Sequence, residues 1–138
     1  MTDPRTTATE LSAGFAAGTT DPVQATEAAL AAIERYDPLV RAMVLVDVDG
    51  ALAAARASAE RWRRGEPLSA ADGVPSTVKD ILLTRGWPTL RGSWLSDAGG
   101  DWSEDAPAVS RLREAGAVLL GKNATPEFAW KGVTDSLR

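Results

Sequence analysis

The sequence predicts an α/β fold, with helices at the N-terminal end followed by the beginning of a parallel sheet. Two observations carry this reading. The stretch "TTDPVQATEAALAAIERYDP" is an amphipathic helix with its own start and stop signals. Further on, "STVKDILL", "APAVSRLREAG" and "AVLLG" follow one another as strand, helix and strand. That order suggests a parallel βαβ unit, because parallel strands need a crossover connection. At 138 residues and 44% apolar content, the chain has the size of one ordinary domain and enough apolar material for a core.

The elements follow in order. Residues 8–17 form a short helix with Leu11 and Phe15 on one face, stopped by Gly18. The next helix has Asp21 as N-cap, Pro22 at its first position and Gln24 three residues after the cap. Val23, Leu30 and Ile33 form its apolar stripe, and Pro38 closes it after Tyr36. Residues 40–46, "VRAMVLV", are β-prone. Asp47 or Asp49 then caps an alanine-rich helix running to Arg64, with Gly65 just past its end. Arg61, Arg63 and Arg64 decorate the end of that helix, where positive charge meets the negative end of the dipole.

Composition changes beyond this point, which divides a helical segment, residues 1–71, from residues 72–138. "EPLSAADGVP" reads as a loop, and "STVKDILL" as a strand running into a turn. The stretch "TRGWPTLRGS" to "DAGGDWSED" has no helical period. Asp105 and Pro107 open a helix with Val109 and Leu112 facing inward and Gly116 at its end. "AVLLG" is a short buried strand, and Thr125 and Pro126 start a further helix at "TPEFAW". Two or three strands make a very small sheet or the start of a larger one.

Composition also excludes several functions. A net charge of −4 and a pI near 4.8 argue against a nucleic-acid partner. With no cysteine, there is no disulfide framework, thiolate nucleophile or cysteine metal site, and a reducing cytoplasm is the expected location. The N-terminus lacks the basic and apolar regions of a signal peptide, and no apolar run approaches the length of about 18 residues needed to span a bilayer. Membrane association is therefore not expected. With no histidine, the Ser-His-Asp triad, the Cys-His pair and histidine zinc sites fall away together. Acid–base chemistry must then use a carboxylate, a lysine or Tyr36.

Four groups of residues are candidates for chemistry. "GAVLLGKN", residues 116–123, nearly matches a phosphate loop, but its four intervening residues read as buried strand and Asn123 replaces the magnesium-binding hydroxyl. Lys122 reads as a strand end. Glu104 and Asp105 are a loop charge and an N-cap, since adjacency alone sets no catalytic geometry. Trp62, Trp87, Trp94, Trp102 and Trp130 read mainly as holding loops to the core. The lysines remain: Lys79, Lys122 and Lys131, only three among fifteen basic residues. Lysine loses its proton when buried far more readily than arginine does. Lys79 follows Val78 and precedes Ile81, Leu82 and Leu83, so its stem is expected to be enclosed and its amine is a candidate base. The alternative is an ion pair, with Asp80 as the nearest partner.

"DGVPSTVKDILLTRGWPTLRGS" followed by "EDAPAVSRLREAGAVLLGKNATPEFAWKGVTDS" closely resembles the N-terminal part of the amidase signature family, over roughly residues 8–136. The resemblance implies an α/β/α fold around a mixed sheet, of which residues 72–138 are the first part. It also implies hydrolysis of a small-molecule amide by a serine, cis-serine, lysine triad, with Lys79 matching the lysine of the family's "VKD" segment. That lysine acts as base toward the cis-serine, which relays the proton of the nucleophilic serine. The family's Gly-Gly-Ser-Ser-Gly stretch and its nucleophile are absent from these 138 residues, and Ser93, Ser96 and Ser136 match neither position. Leu137 stands where the family commonly has proline, and Arg138 ends the chain. The resemblance further implies no metal or organic cofactor, and as partner either a second copy through the N-terminal helices or a complementary chain carrying the serines. The chain alone is expected to be inactive. The competing expectation is a non-catalytic module that dimerises or acts as a scaffold.

Overall fold

A computed structural model describes residue 3 and residues 5–135. Helix α1, Ala8–Ala17, begins at Thr7, whose hydroxyl accepts from the Glu10 amide while the Glu10 carboxylate accepts from the Thr7 amide. This reciprocal cap supplies two of the amide partners a helix start leaves open. Gly18 ends the helix in the left-handed region, at φ 66°. Leu11 and Phe15 are buried against Ala25 and Val74, with Trp62 packed beside them. The Phe15 and Trp62 rings meet at 6.1 Å.

Helix α2, Pro22–Val40, starts as expected, with the Asp21 carboxylate accepting the Val23 amide at 2.7 Å. It does not stop before Pro38. It runs on past that residue, to Arg41 in the left-handed conformation. Proline removes a single intrahelical donor here, and it does so in a terminal turn. The Asp37 carboxylate then accepts the amides of Ala42 and Met43, which ties down the chain as it leaves the helix.

Strand β1, Met43–Val46, is shorter than the β-prone run, and helix α3, Val48–Arg63, follows at once. Asp47 is its cap, accepting the Gly50 amide at 2.9 Å. Strand β2, Pro75–Lys79, helix α4, Pro107–Glu114, and strand β3, Val118–Asn123, complete the regular structure. Asp105 does not cap α4. Ala106 occupies that position, and the Asp105 carboxylate instead accepts the Arg85 amide at 2.7 Å and faces Arg113 Nε at 3.1 Å. The acid is used to hold the 84–87 turn to α4. Nor does "TPEFAW" make an α-helix. Only a 3₁₀ turn, Glu127–Ala129, forms, with Phe128 and Ala129 at positive φ.

The sheet order is β1-β3-β2, with β3 parallel to β2 and antiparallel to β1. The expected βαβ unit is therefore present, through α4, within a mixed sheet. Val118 and Leu120 pack with Ala51 and Ala55 of α3, joined by Val23, Leu30 and Ile33 of α2, so the predicted stripe faces the sheet. Leu119 packs on the other side with Val78, Trp87 and Val109 of α4. These two clusters make the layers helix, sheet, helix. Beside β2, Asp72 ties the layers at one end. Arg61 forks onto it at 2.7 and 2.6 Å, the Leu68 amide donates to it at 2.9 Å, and its carbonyl accepts from Trp62 Nε1. β3 bends where Leu120 is passed over in the pairing with β2. There Gly121 adopts φ 151°, and a Cβ at that position would overlap the Leu45 carbonyl. Among the described residues, no helix is long and apolar enough to cross a membrane.

Candidate functional site

Lys79 is the last residue of β2 and pairs in register with Asn123, the last residue of β3. Both therefore lie at the carboxyl ends of a parallel pair, the end of an open α/β sheet where ligands bind. The expected enclosure of Lys79 is not found. Its side chain is exposed: successive residues of a strand point to opposite faces, and while Val78 is buried, Lys79 stands with the exposed Thr77 on the other face. Its backbone is firmly held. The Lys79 carbonyl accepts the Ile81 and Leu82 amides at 2.8 and 3.0 Å, and the next amide, of Asp80, donates to the Asn123 carbonyl at 3.0 Å.

The alternative partner is also corrected, since Asp80 pairs with Lys122 and not with Lys79. Lys122 Nζ lies 3.0 Å from Asp80 Oδ1, with 0% of the lysine side chain exposed. The ammonium donates to Thr89 Oγ1 at 2.6 Å and to the Leu82 carbonyl at 3.0 Å. Burial lowers its pKa; the hydrogen bond and charge of Asp80 pull it back upward, and the charge of Arg91 adds to the lowering. Asp80 in turn accepts the Leu90 amide on its carboxylate and the Arg91 amide on its carbonyl. Lys122 is thus the buried lysine that sequence reasoning places at a plain strand end. The same signal that draws attention to Lys79, a lysine closing an apolar run, is present at "LLGK". Its engagement in this pair also removes it as a phosphate ligand, and Ala117–Leu120 is buried, as the strand reading requires.

A second knot lies alongside. The Phe128 amide donates to the Arg91 carbonyl at 2.8 Å, and the buried Ser93 hydroxyl donates to Glu127 Oε1 at 2.6 Å. Gly92 sits where a Cβ would be 2.5 Å from the Thr125 carbonyl. Over this knot opens a hollow of about 580 Å³, lined by Gly92, Trp94, Glu127, Phe128, Trp130 and Lys131. Trp62 and Trp87 serve the core, with Trp87 Nε1 reaching Asp47 at 3.2 Å. Trp94 and Trp130 do not, being 69% and 90% exposed. Glu104 is an exposed loop charge, as expected. Ser136, Leu137 and Arg138 lie outside the described residues.

The family model for amidase matches residues 24–137. The chain belongs to the amidase signature family. It is 48% identical over 127 residues to a glutamyl-tRNA(Gln) amidotransferase subunit from Myxococcus xanthus (strain DK1622), a match covering 92% of this chain and 26% of that protein. Among solved structures, it resembles the peptide amidase of Stenotrophomonas maltophilia, with TM-score 0.79, 33% identity, and coverage of 90% of this chain and 26% of that one. It also resembles a bacterial aryl acylamidase of the amidase signature family, with TM-score 0.82, 28% identity, and coverage of 94% and 27%. The chain therefore spans about a quarter of the length of the relatives it matches. In this amidase-family chain, the two layers of helix about a small mixed sheet correspond to part of those larger α/β folds.

Proposed function

We propose that this chain is the N-terminal part of an amide hydrolase and supplies its lysine base, Lys79, to a serine and a cis-serine borne by further polypeptide. The observation that carries the reading is the position of Lys79 at the carboxyl end of the β2–β3 parallel pair, in a chain of the amidase family, with a firmly held backbone and an open side. A lysine serves as base only when its amine is unprotonated, a state that apolar covering favours. The serine-bearing polypeptide would provide that covering, together with the oxyanion donors that acyl transfer needs. Lys79 would take the proton of the cis-serine as the nucleophilic serine attacks the amide carbonyl. The proton would then return to the departing amine, and water would cleave the acyl-enzyme. The substrate is a small-molecule amide, and the proposed setting is the cytoplasm.

The test is to assay the 138-residue chain alone, and then together with the part of a relative such as the M. xanthus protein that this chain does not span. Probes follow the structural neighbours: a peptide amide, after the peptide amidase, and an aryl amide, after the aryl acylamidase. No turnover is expected from the chain alone. Turnover is expected from the pair, and is expected to be lost in Lys79→Ala. Turnover that survives Lys79→Ala refutes the assignment of the base. The intact mass of the isolated protein, taken under denaturing conditions, shows whether a larger companion chain accompanies the 14.5 kDa one. A second reading, a non-catalytic assembly module, draws on the exposed Leu39, Val40, Val44 and Val46 at the end of α2 and on β1. A chain that self-associates, and that no serine-bearing partner activates, would favour it.

A further inference from the structure

Asp80, the residue directly after Lys79, is anchored both by its carboxylate and by its backbone. Its carboxylate meets Lys122 Nζ at 3.0 Å and the Leu90 amide at 3.3 Å; its carbonyl takes the Arg91 amide and its own amide goes to Asn123. Lys122 at the same time reaches the Leu82 carbonyl and the Thr89 hydroxyl, and Thr89 itself donates to the Leu82 carbonyl at 3.2 Å. One ammonium therefore gathers Asp80, Leu82 and Thr89, the two ends of the turn by which the chain leaves β2 and comes back. An ammonium has three protons, and here all three have close acceptors. A neutral side chain at 122 would leave the Asp80 carboxylate, 3% exposed, without its counter-charge.

We propose that Lys122 is a positioning residue for Lys79: through Asp80, Leu82 and Thr89 it fixes the turn after β2, and so sets where the Lys79 amine stands. Lys122 itself touches no substrate, since its ammonium is closed off beneath the turn. This inference rests on the reading of Lys79 as the base, and it gives a reason for a second lysine one strand away. An exposed side chain at a strand end is aimed by its backbone alone. A displacement of about 1 Å at a reacting group costs on the order of a hundredfold in rate.

Native-state hydrogen exchange on the 138-residue chain tests it. In Lys122→Met, the amides of Asp80, Leu82, Leu90 and Arg91 are expected to lose protection by roughly tenfold or more beyond the loss at the Val118 amide, which is bonded to Val74 at the far end of β3 and falls only with the stability of the whole chain. Unchanged protection at 80–91 overturns the proposal. So does a loss shared equally with Val118, which would make Lys122 a general stabiliser only. If Lys122→Met fails to fold, Thr89→Val removes one of the three acceptors at nearly constant shape, and the same local loss, smaller in size, is expected. With the serine-bearing partner present, Lys122→Met is expected to lower kcat by about a hundredfold with KM little changed. Turnover that survives Lys79→Ala would refute the base assignment instead, and would leave the exchange result standing.

Discussion

Lys122 Nζ and Asp80 Oδ1 meet at 3.0 Å with the lysine wholly closed to solvent, while Lys79, the residue directly before Asp80, stands in the open. The chain has committed its buried lysine to architecture and left its candidate base at the surface. This division, and the tight spots around it, set what substitutions and acid should do.

Breaking the pair from one side removes the counter-charge that lies 3.0 Å from Asp80. Lys122→Ala is expected to destabilise the chain by about 3–5 kcal/mol in denaturant unfolding, because the Asp80 carboxylate stays buried without a partner of opposite charge. Lys122→Met combined with Asp80→Leu should cost clearly less than the sum of the single changes. Strict additivity would mean that the two groups do not interact as their distance implies.

Lys79 should behave in the opposite way. Because it is exposed and makes no ion pair with another described residue, Lys79→Ala is expected to leave stability within about 0.5 kcal/mol of the parent. The same exposure predicts selective chemistry. Brief treatment of the folded chain with an amine-reactive reagent, read by peptide mass, should label Lys79 and Lys131 and spare Lys122.

Asp72 makes stability fall in acid. Burial pushes its pKa up, but the hydrogen bonds from Arg61 and the Leu68 amide outweigh this and hold it below the ordinary carboxylate value of 3.8. A depressed carboxylate stabilises the fold fully above its unfolded pKa, and that contribution is lost as pH falls through the lower folded value. Asp72→Asn is therefore expected to cost about 2–4 kcal/mol near neutrality. The gap between parent and variant should close below about pH 4 in a series of unfolding curves. A gap that stays constant down to pH 2 would exclude this linkage.

Gly121 is fixed by geometry of another kind. A methyl group there would run into the Leu45 carbonyl of the neighbouring strand, and φ 151° is a conformation L side chains rarely adopt. Gly121→Ala is expected to cost about 3 kcal/mol or more, read as a lowered unfolding midpoint. Gly18→Ala, with open space around the added methyl, should cost less, through its φ of 66° alone.

Much of the fold is legible in the sequence because local signals and packing agree. Asp21 with Pro22, Asp47, and Gly18 each act where side-chain chemistry places them. Departures arise where a local rule meets a tertiary demand. Pro38 reads as a stop, but a proline in a terminal turn costs one donor, and Asp37 secures the exit. Asp105 has the composition of a cap but is drawn away by Arg85 and Arg113. Thr125 and Pro126 have the form of a helix start, yet the positive φ of Phe128 and Ala129 ends it within one turn. At the candidate site, sequence alone does not decide which lysine is enclosed. That depends on register and on which face of the sheet is covered: Lys122 lies opposite the buried Val78, whereas Lys79 falls on the other face, and neither "VKD" nor "GKN" contains that pairing.

Strand order has a further consequence, for how the chain comes to be folded. Among the described residues, β1 and β2 do not pair with each other; each pairs with β3, the last of the three in the sequence. During synthesis from the N-terminus, α2 and α3 can pack together early, but no hydrogen bond of this sheet can form until residues 118–123 have been made. Until then the apolar faces of β1 and β2 have no native neighbour, and unpaired strands of this kind are prone to join the wrong one. The emerging chain is thus most in need of protection just before its central strand arrives.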